Sequence, residues 1–444
     1  MPTVSRSSPI EVAPPTPARG AASQPPACGP VLEPGGTLYF LHIPKTAGTS
    51  YRTYLEDHFD ADLICPHLVV EELLPRPPSE LDGYRLISGH HGWFLPGMLR
   101  AEPTIVTVLR DPVARSLSHF YHQRNTPGDW LHEIVRDWTF EQYVTSPIGM
   151  SELANFQVRH LALDRVQEDY WDHSELRDRD HDALMVKYSD PRLVDRAIDR
   201  ADRFAVVGIQ ERFDETLRLT AHTLGWPPRS APPRLNPRRT QRDEGDLTER
   251  AGEQLHRITA LDRALYDRAA ARFDERVKGL DTGAVERRYA EAWAARERVS
   301  RVRFGFDKAI LGEGWHVRSA RAEGPVTRWT GPSPHATMDL ALAAGRDLRI
   351  VFNAGVWVAD LRPTLRLSVN GEPVPLTFSQ LKYGDLGQGI FSGVIPRSVL
   401  VRNAGFTRLR FEVERTTRPS DLDPKNPDQR PVGIHFRWLE IDPA

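Results

Sequence analysis

A nine-residue segment at positions 42–50 carries side chains and a spacing suited to holding an anion. It reads His-Ile-Pro-Lys-Thr-Ala-Gly-Thr-Ser and begins at the end of an apolar run. A loop of this composition at the start of a helix points backbone N–H groups at a phosphate, and its lysine adds a mobile charge. The structural alternative is a plain strand–turn–helix junction in which Ser or Thr only caps the helix. The residues that the pattern predicts to contact the phosphate are Lys45, Thr46, Ala47, Gly48, Thr49 and Ser50.

A second segment with phosphate-binding side chains starts at Arg110. Arg110 ends another apolar run, Asp111 is placed to cap the next helix, and Pro112 suits the first position of that helix. Ser118 lies two turns further on, so Arg110 and Ser118 can reach one phosphate beyond the end of the sheet. An ordinary Asp-Pro helix start, or a metal-holding strand of the Walker B kind, would give a similar local pattern.

Together these two segments resemble the sulfotransferases that act on glycans, the family that includes heparan sulfate 2-O-sulfotransferase. In that family the first loop binds the 5′-phosphosulfate of PAPS (3′-phosphoadenosine 5′-phosphosulfate), and Arg-Asp-Pro with a serine eight residues after the arginine binds the 3′-phosphate. The resemblance covers residues 37–278. It implies PAPS as the donor, a carbohydrate or glycan hydroxyl as the acceptor, and O-sulfotransferase activity without a metal.

The resemblance also implies the catalytic groups. The lysine of the loop, here Lys45, bears on the oxygen that bridges sulfur and phosphorus. Family members carry a Gly-His pair between the two phosphate motifs, and its histidine takes the proton of the acceptor hydroxyl. The match is Gly89-His90, which assigns His90 as the base; a neutral imidazole suits that task. His91 is the competing candidate, because a shift of one residue exchanges the two histidines.

Two further segments resemble parts of the family. Asn155, Gln157 and Arg159 form an Asn-x-Gln-x-Arg pattern that lies near the acceptor cleft in family members, with a solvated helix face as the alternative. Asn-Pro-Arg-Arg at 236–239 is expected to close over the nucleotide.

The elements that must position these groups follow from the apolar pattern. The runs 38–43, 105–109, 183–188 and 204–209 are predicted as buried strands, and helical patterns follow the first, second and fourth. Longer helices are predicted at 248–277 and 285–298. Strands that alternate with helices predict an α/β domain at 37–299, with a P-loop-like parallel sheet covered by helices.

After about residue 300 the helical periodicity stops. Short apolar segments separated by turns, together with the Asn370-Gly371 hairpin signal, predict an all-β, β-sandwich-like domain at 300–444. This domain is a candidate for sugar binding because indole rings stack on pyranoses, although strand tryptophans are more often core residues. The tryptophans concerned are Trp315, Trp329, Trp357 and Trp438.

Composition limits the remaining possibilities. Residues 1–36 hold nine prolines and no aromatic residue, which predicts a disordered tail. The chain of 444 residues has 58 basic and 60 acidic side chains, so no basic excess indicates nucleic-acid binding. The absence of a long apolar segment predicts no membrane span. Two cysteines and no apolar leader predict a cytoplasmic protein, without a disulfide scaffold or a cysteine-built zinc site.

Two other functions remain open from the sequence. A P-loop kinase would need its lysine directly after the second glycine of the loop, whereas Lys45 lies three residues before Gly48. A non-catalytic glycan-binding protein would use the β domain and carry a degenerate nucleotide domain. The oligomeric state is not indicated.

Overall fold

The computed structural model describes residues 36–164, 181–227, 247–294, 296–319, 326–380, 388–400, 405–423 and 425–444. The predicted tail, apart from Gly36, and the predicted nucleotide-closing segment 236–239 lie outside these ranges.

The first part of the chain contains a four-stranded parallel sheet. Its strands are β1 (Leu38–Leu41), β2 (Leu86–Gly89), β3 (Thr104–Leu109) and β4 (Val206–Ile209), in the order β2-β1-β3-β4. Helices cover the sheet, as a parallel sheet requires to bury both of its faces. They are α1 (Gly48–Glu56), α2 (Val70–Leu73), α3 (Pro78–Leu81), α4 (Pro112–Asn125), α5 (His132–Val135), α6 (Phe140–Thr145), α7 (Pro147–Leu153), α8 (Phe156–Ala162), α9 (His181–Tyr188), α10 (Arg192–Ala201), α11 (Phe213–Leu224), α12 (Glu249–Ile258), α13 (Ala260–Val277) and α14 (Thr282–Ala294).

The structure corrects one predicted strand. The run 183–188 lies in helix α9 and not in the sheet. Its packed side chains are Leu184, Met185 and Tyr188, which have the i, i+1, i+4 spacing of one helix face, whereas Val186 is 77% exposed. A short apolar run cannot be assigned by periodicity alone, and Ala, Leu and Met favour a helix.

The other strand predictions in this part are confirmed as β1, β3 and β4. The sequence pattern does not predict β2, because Ser88 and Gly89 lower its strand propensity. The predicted helix 248–277 is two helices, α12 and α13, which meet at Thr259.

The last part of the chain forms two antiparallel sheets around one apolar core. One sheet has the order β10-β9-β13-β7, and the other has the order β11-β12-β8-β14-β5 with β6 beside β14. The Asn370-Gly371 hairpin is confirmed: both residues have positive φ, 50° and 85°, and they join β9 to β10. The strands are β5 (Val302–Gly305), β6 (Arg328–Trp329), β7 (His335–Leu340), β8 (Leu348–Val356), β9 (Arg366–Val369), β10 (Glu372–Val374), β11 (Thr377–Gln380), β12 (Gly389–Ile395), β13 (Thr407–Glu412) and β14 (Ile434–Pro443), with two short helices, α15 (Arg397–Leu400) and α16 (Pro419–Leu422).

The two parts meet at the carboxyl end of α1. Asp57 forms a buried ion pair with Arg328, and its carbonyl accepts a hydrogen bond of 2.9 Å from the Ile310 N–H. The α/β class and the separate β region are confirmed, while the P-loop-like character of the sheet and the boundary at residue 300 stay predictions.

Candidate active site

Three of the predicted functional segments meet at one edge of the parallel sheet. Loop 42–50 follows β1, His90 follows β2 and Arg110 follows β3. The register pairs Leu41 with both Gly89 and Thr107, so the carboxyl ends of these three neighbouring strands lie side by side. In open α/β sheets this edge is where ligands bind.

Two hydrogen bonds join the segments directly. The Arg110 guanidinium donates to the Lys45 carbonyl at 3.0 Å, which ties β3 to the loop. The ring Nδ1 of His90 lies 2.9 Å from the His42 carbonyl, which ties β2 to the same loop. The sequence motifs therefore form one site.

The loop has an unusual backbone. Lys45 and Ala47 have φ values of 72° and 67°, although neither is glycine. Such residues cost on the order of 1–3 kcal/mol each and persist where the conformation serves a purpose. Where right-handed and left-handed residues alternate, successive backbone N–H groups point into one concavity, and such a concavity is suited to binding an anion. The N-cap of α1 is Ala47, so no Ser or Thr side chain caps this helix. The structural alternative, in which Ser or Thr only caps the helix, therefore does not apply.

The remaining loop residues differ in role. The fully buried Thr46 hydroxyl donates to the Ile43 carbonyl at 2.9 Å and so stabilises the turn. Gly48 is required by packing, since a Cβ there would lie 1.6 Å from Nε2 of His42. Thr49 is exposed and Ser50 is buried.

The segment 155–159 does not form a solvated helix face. All seven residues of α8 are buried, and Gln157 holds the backbone of Arg110 from both sides. The Arg110 N–H donates to Gln157 Oε1 at 2.9 Å, and Gln157 Nε2 donates to the Arg110 carbonyl at 2.8 Å. The Asp262 carboxylate in turn accepts from the N–H groups of Gln157 and Val158. Gln157 therefore positions Arg110, a role that the sequence pattern does not reveal.

Helix α4 starts as predicted and contributes a residue that the sequence did not single out. Asp111 accepts a hydrogen bond from the Ala114 N–H at 2.8 Å, with Pro112 at the first position, and Ser118 lies half-buried in the second turn. Arg115 is fully buried, with its Nε 3.4 Å from the Pro44 carbonyl and its guanidinium 3.6 Å from the centre of the Phe156 ring.

The charge of Arg115 lies directly behind the loop. Its two terminal nitrogens have no hydrogen-bond partner among the described residues. Burial lowers the pKa of Arg115 to about 9, so the side chain stays protonated at neutral pH. A buried cation of this kind favours an anion nearby. The signal in the sequence is an arginine five residues after Arg110, which is ambiguous alone because an arginine on a helix is usually solvated.

The two neighbouring histidines have different surroundings. His90 is partly exposed, and because the His42 carbonyl can only accept, His90 Nδ1 carries the hydrogen and Nε2 carries a lone pair. Burial lowers the pKa of His90 below 6.5, which keeps the ring neutral at pH 7. His91 is 1% exposed and packs beside Tyr39, and burial lowers its pKa to about 3.

The part of the chain that the structure describes offers neither a metal site nor a membrane span. Its His, Cys, Asp and Glu side chains form no group of three that could hold a metal ion. None of its helices is both long enough and apolar enough to cross a membrane.

A loop suited to holding an anion, a neutral histidine and an arginine lie together at one edge of a parallel sheet, an arrangement that fits a group-transfer enzyme. The family model of galactose-3-O-sulfotransferase matches residues 91–323, more than half of the chain. The chain belongs to this family. The match includes Arg110, Ser118 and Gln157 and starts one residue after His90.

Individual proteins give weaker similarities. Galactose-3-O-sulfotransferase 3 of Bos taurus is 26% identical over 309 residues, which cover 65% of this chain and 68% of that protein. The Mus musculus protein of the same name is 26% identical, with coverages of 64% and 67%. A family 35 carbohydrate binding module from Clostridium thermocellum is aligned over 33% of this chain and all of that chain, at only 13% identity and a TM-score of 0.23.

These comparisons sharpen one prediction and overturn another. A carbohydrate sulfotransferase is confirmed, but the matching family is that of galactose-3-O-sulfotransferase, and a specific likeness to heparan sulfate 2-O-sulfotransferase is not. The prediction of a cytoplasmic location is wrong, because the matching relatives are Golgi-resident enzymes. A low cysteine count is compatible with more than one compartment and was a poor guide.

Proposed function

We propose that the protein transfers a sulfuryl group from PAPS to a hydroxyl of a galactose-containing carbohydrate. The observation that carries this proposal is the pair of hydrogen bonds that joins loop 42–50 to His90 on one side and to Arg110 on the other. Membership of the galactose-3-O-sulfotransferase family supports galactose as the acceptor sugar.

The residues at the sheet edge fit a donor with two separate phosphate groups. Lys45 and the amides of residues 46–50 are suited to the 5′-phosphosulfate, since two left-handed residues shape that loop. Arg110 and Ser118 would hold the 3′-phosphate. The buried charge of Arg115 adds to the positive potential behind the loop.

The chemistry needs a base, a stabilised leaving group and no change of oxidation state. The acceptor oxygen forms a bond to sulfur, and the bond from sulfur to the bridging oxygen of the 5′-phosphate breaks. The hydroxyl proton passes to Nε2 of His90, which the hydrogen bond at Nδ1 leaves unprotonated. Lys45 stabilises the negative charge that develops on the leaving phosphate. The mechanism uses no metal, so we expect activity to survive EDTA.

Binding of PAP, the desulfated product, tests the donor site. Arg110→Ala should weaken PAP binding by about 1.5–3 kcal/mol, the range for a hydrogen bond to a charged group. Omitting the 3′-phosphate, by using AMP, should cost the wild type a similar amount and the variant much less. Calorimetry with PAP, AMP, ATP and GTP measures both effects. Equal losses in the two proteins would remove Arg110 from the 3′-phosphate site, and a clear preference for ATP would favour a kinase.

A further inference from the structure

The outer face of the sheet that contains β8 and β14 is divided into two halves of different chemistry. In β8 the side chains of Phe352 and Ala354 are in the core, so Asn353 and Gly355 lie on the outer face. The strand register places His435 opposite Gly355 and Trp438 opposite Asn353.

Neighbouring strands extend this outer surface. Trp329 of β6 pairs with His435, and their rings stack at 4.6 Å. The Trp357 ring, which follows β8, lies 6.0 Å from the Trp329 ring. Gln388 lies over Gly355, where a Cβ would be 2.6 Å from its Cγ. We name as the aromatic half Trp329, Asn353, Trp357, Gln388, His435 and Trp438.

The other half of the face is charged and internally paired. Arg303 of β5 forms ion pairs with Glu440 at 3.3 Å and with Asp442 at 2.8 Å, both on β14. None of the six residues of the aromatic half is charged, but the Asp307 carboxylate lies beside them, against Gly305, which is paired with Trp438. A neutral ligand is therefore not opposed by charge within the six residues.

Two buried acceptors in the aromatic half lack partners. Asn353 and Gln388 are 6% and 7% exposed, and Asn353 Oδ1 and Gln388 Oε1 accept no hydrogen bond within the described ranges. Buried carbonyl oxygens are nearly always paired, so such atoms need a ligand or another partner to satisfy them. Beside them the indole of Trp357 is 41% exposed, which is unusual for so large an apolar side chain.

We propose that the aromatic half is a second carbohydrate-binding site, which takes a neutral pyranose of a glycan chain. The rings of Trp357 and Trp329 offer flat apolar surface to the C–H face of the sugar, and sugar hydroxyls donate to the carbonyl oxygens of Asn353 and Gln388. The site lies on a different sheet from loop 42–50, so it would hold a glycan independently of the catalytic site.

Affinity electrophoresis of the full chain in gels that contain a neutral polysaccharide tests this proposal. Four soluble probes are used in separate gels: galactan, glucomannan, xylan and mixed-linkage glucan. We expect at least one to retard the wild type, and Trp357→Ala to weaken that retardation about tenfold or more, as truncation of a central interface tryptophan does. Asn353→Leu, which removes the unpaired carbonyl at similar volume, should weaken it as well.

Two control variants show whether retardation depends on the aromatic half. Val394→Ala alters a side chain that is 49% exposed in the charged half of the same face, opposite Arg349, and should leave retardation unchanged. Lys45→Ala should also leave it unchanged, which shows that retardation does not depend on the donor loop. Thermal unfolding midpoints equal to that of the wild type exclude misfolding of the variants. Absence of retardation in all four gels, or unchanged retardation of Trp357→Ala and Asn353→Leu, would overturn the proposal.

Discussion

Replacement of Gln157 by leucine tests whether the donor site depends on a side chain that does not itself reach the ligand. Gln157 is fully buried and makes two hydrogen bonds to the backbone of Arg110, at 2.9 Å and 2.8 Å. Leucine has a similar volume but can form neither bond. Arg110 would keep its guanidinium and lose the support that fixes its position.

The size of the effect follows from the two lost bonds. A hydrogen bond between neutral groups contributes about 0.5–1.5 kcal/mol, so the pair contributes about 1–3 kcal/mol. If this free energy is used to hold Arg110 against the 3′-phosphate, PAP affinity falls about 5- to 150-fold. The affinity for AMP, which lacks that phosphate, should stay within about threefold, and calorimetry with both ligands gives the ratio.

The matched control is Gln254→Leu. Gln254 is a half-buried glutamine in α12 whose amide contacts the sulfur of Met150, and its replacement should leave the ratio of PAP to AMP affinity unchanged. If Gln157→Leu keeps the wild-type ratio, or loses affinity for both ligands equally, Gln157 does not position Arg110 for the 3′-phosphate.

Three further predictions concern the histidines and Lys45. His90→Ala should lower turnover by about 10²–10⁴-fold with PAP affinity within about threefold, while the same change at the buried His91 should do far less; normal turnover of the His90 variant would refute the assignment. Lys45→Ala should reduce both turnover and PAP affinity in the same assays, and a loss of only one of them would separate its two roles. Lowering the pH from 7.5 to 5.0 should decrease the free energy of unfolding by at least about 2.5 kcal/mol, as urea titrations followed by fluorescence would show; burial also lowers the pKa values of His42 and His160, which adds to this loss. In the folded protein the pKa values of His91 and His119 are about 3 and about 4, below the value of 6.5 in the unfolded chain. Below pH 6.5 the unfolded chain therefore binds protons that the folded protein does not, and each histidine lowers the free energy of unfolding by about 2 kcal/mol at pH 5.0. Burial raises the pKa of Asp262 to about 6, so its protonation stabilises the folded state by about 1.4 kcal/mol between pH 7.5 and pH 5.0 and offsets part of this loss. A free energy of unfolding that stays constant or increases would contradict the reasoning.

The sequence was informative where one local signal dominated. Asp111 and Pro112 marked the start of α4 because capping involves residues three positions apart, and Asn370-Gly371 marked a hairpin because both need positive φ. The segment 183–188 failed because its apolar residues suit a strand or a helix until the partner surface is known.

The candidate site was predictable as a set of segments but not as a set of contacts. The loop and Arg110 were recognisable by composition, and parallel strand order brings them together. The support of Arg110 by Gln157 and the burial of Arg115 depend on the packing of α8 against the end of β3, across 47 residues of sequence in the first case. Such contacts leave no periodic or compositional signal.

Transfer of radioactive sulfate from PAPS tests the central claim most directly. The purified chain is incubated with ³⁵S-labelled PAPS and a panel of oligosaccharides with terminal galactose, glucose or glucuronic acid, and the labelled products are separated and identified. We predict a labelled sulfate ester on the galactose-terminated acceptor, lost in His90→Ala. Label on none of the acceptors would contradict sulfuryl transfer to carbohydrate, and label confined to the glucose or glucuronic acid acceptors would contradict the assignment of galactose.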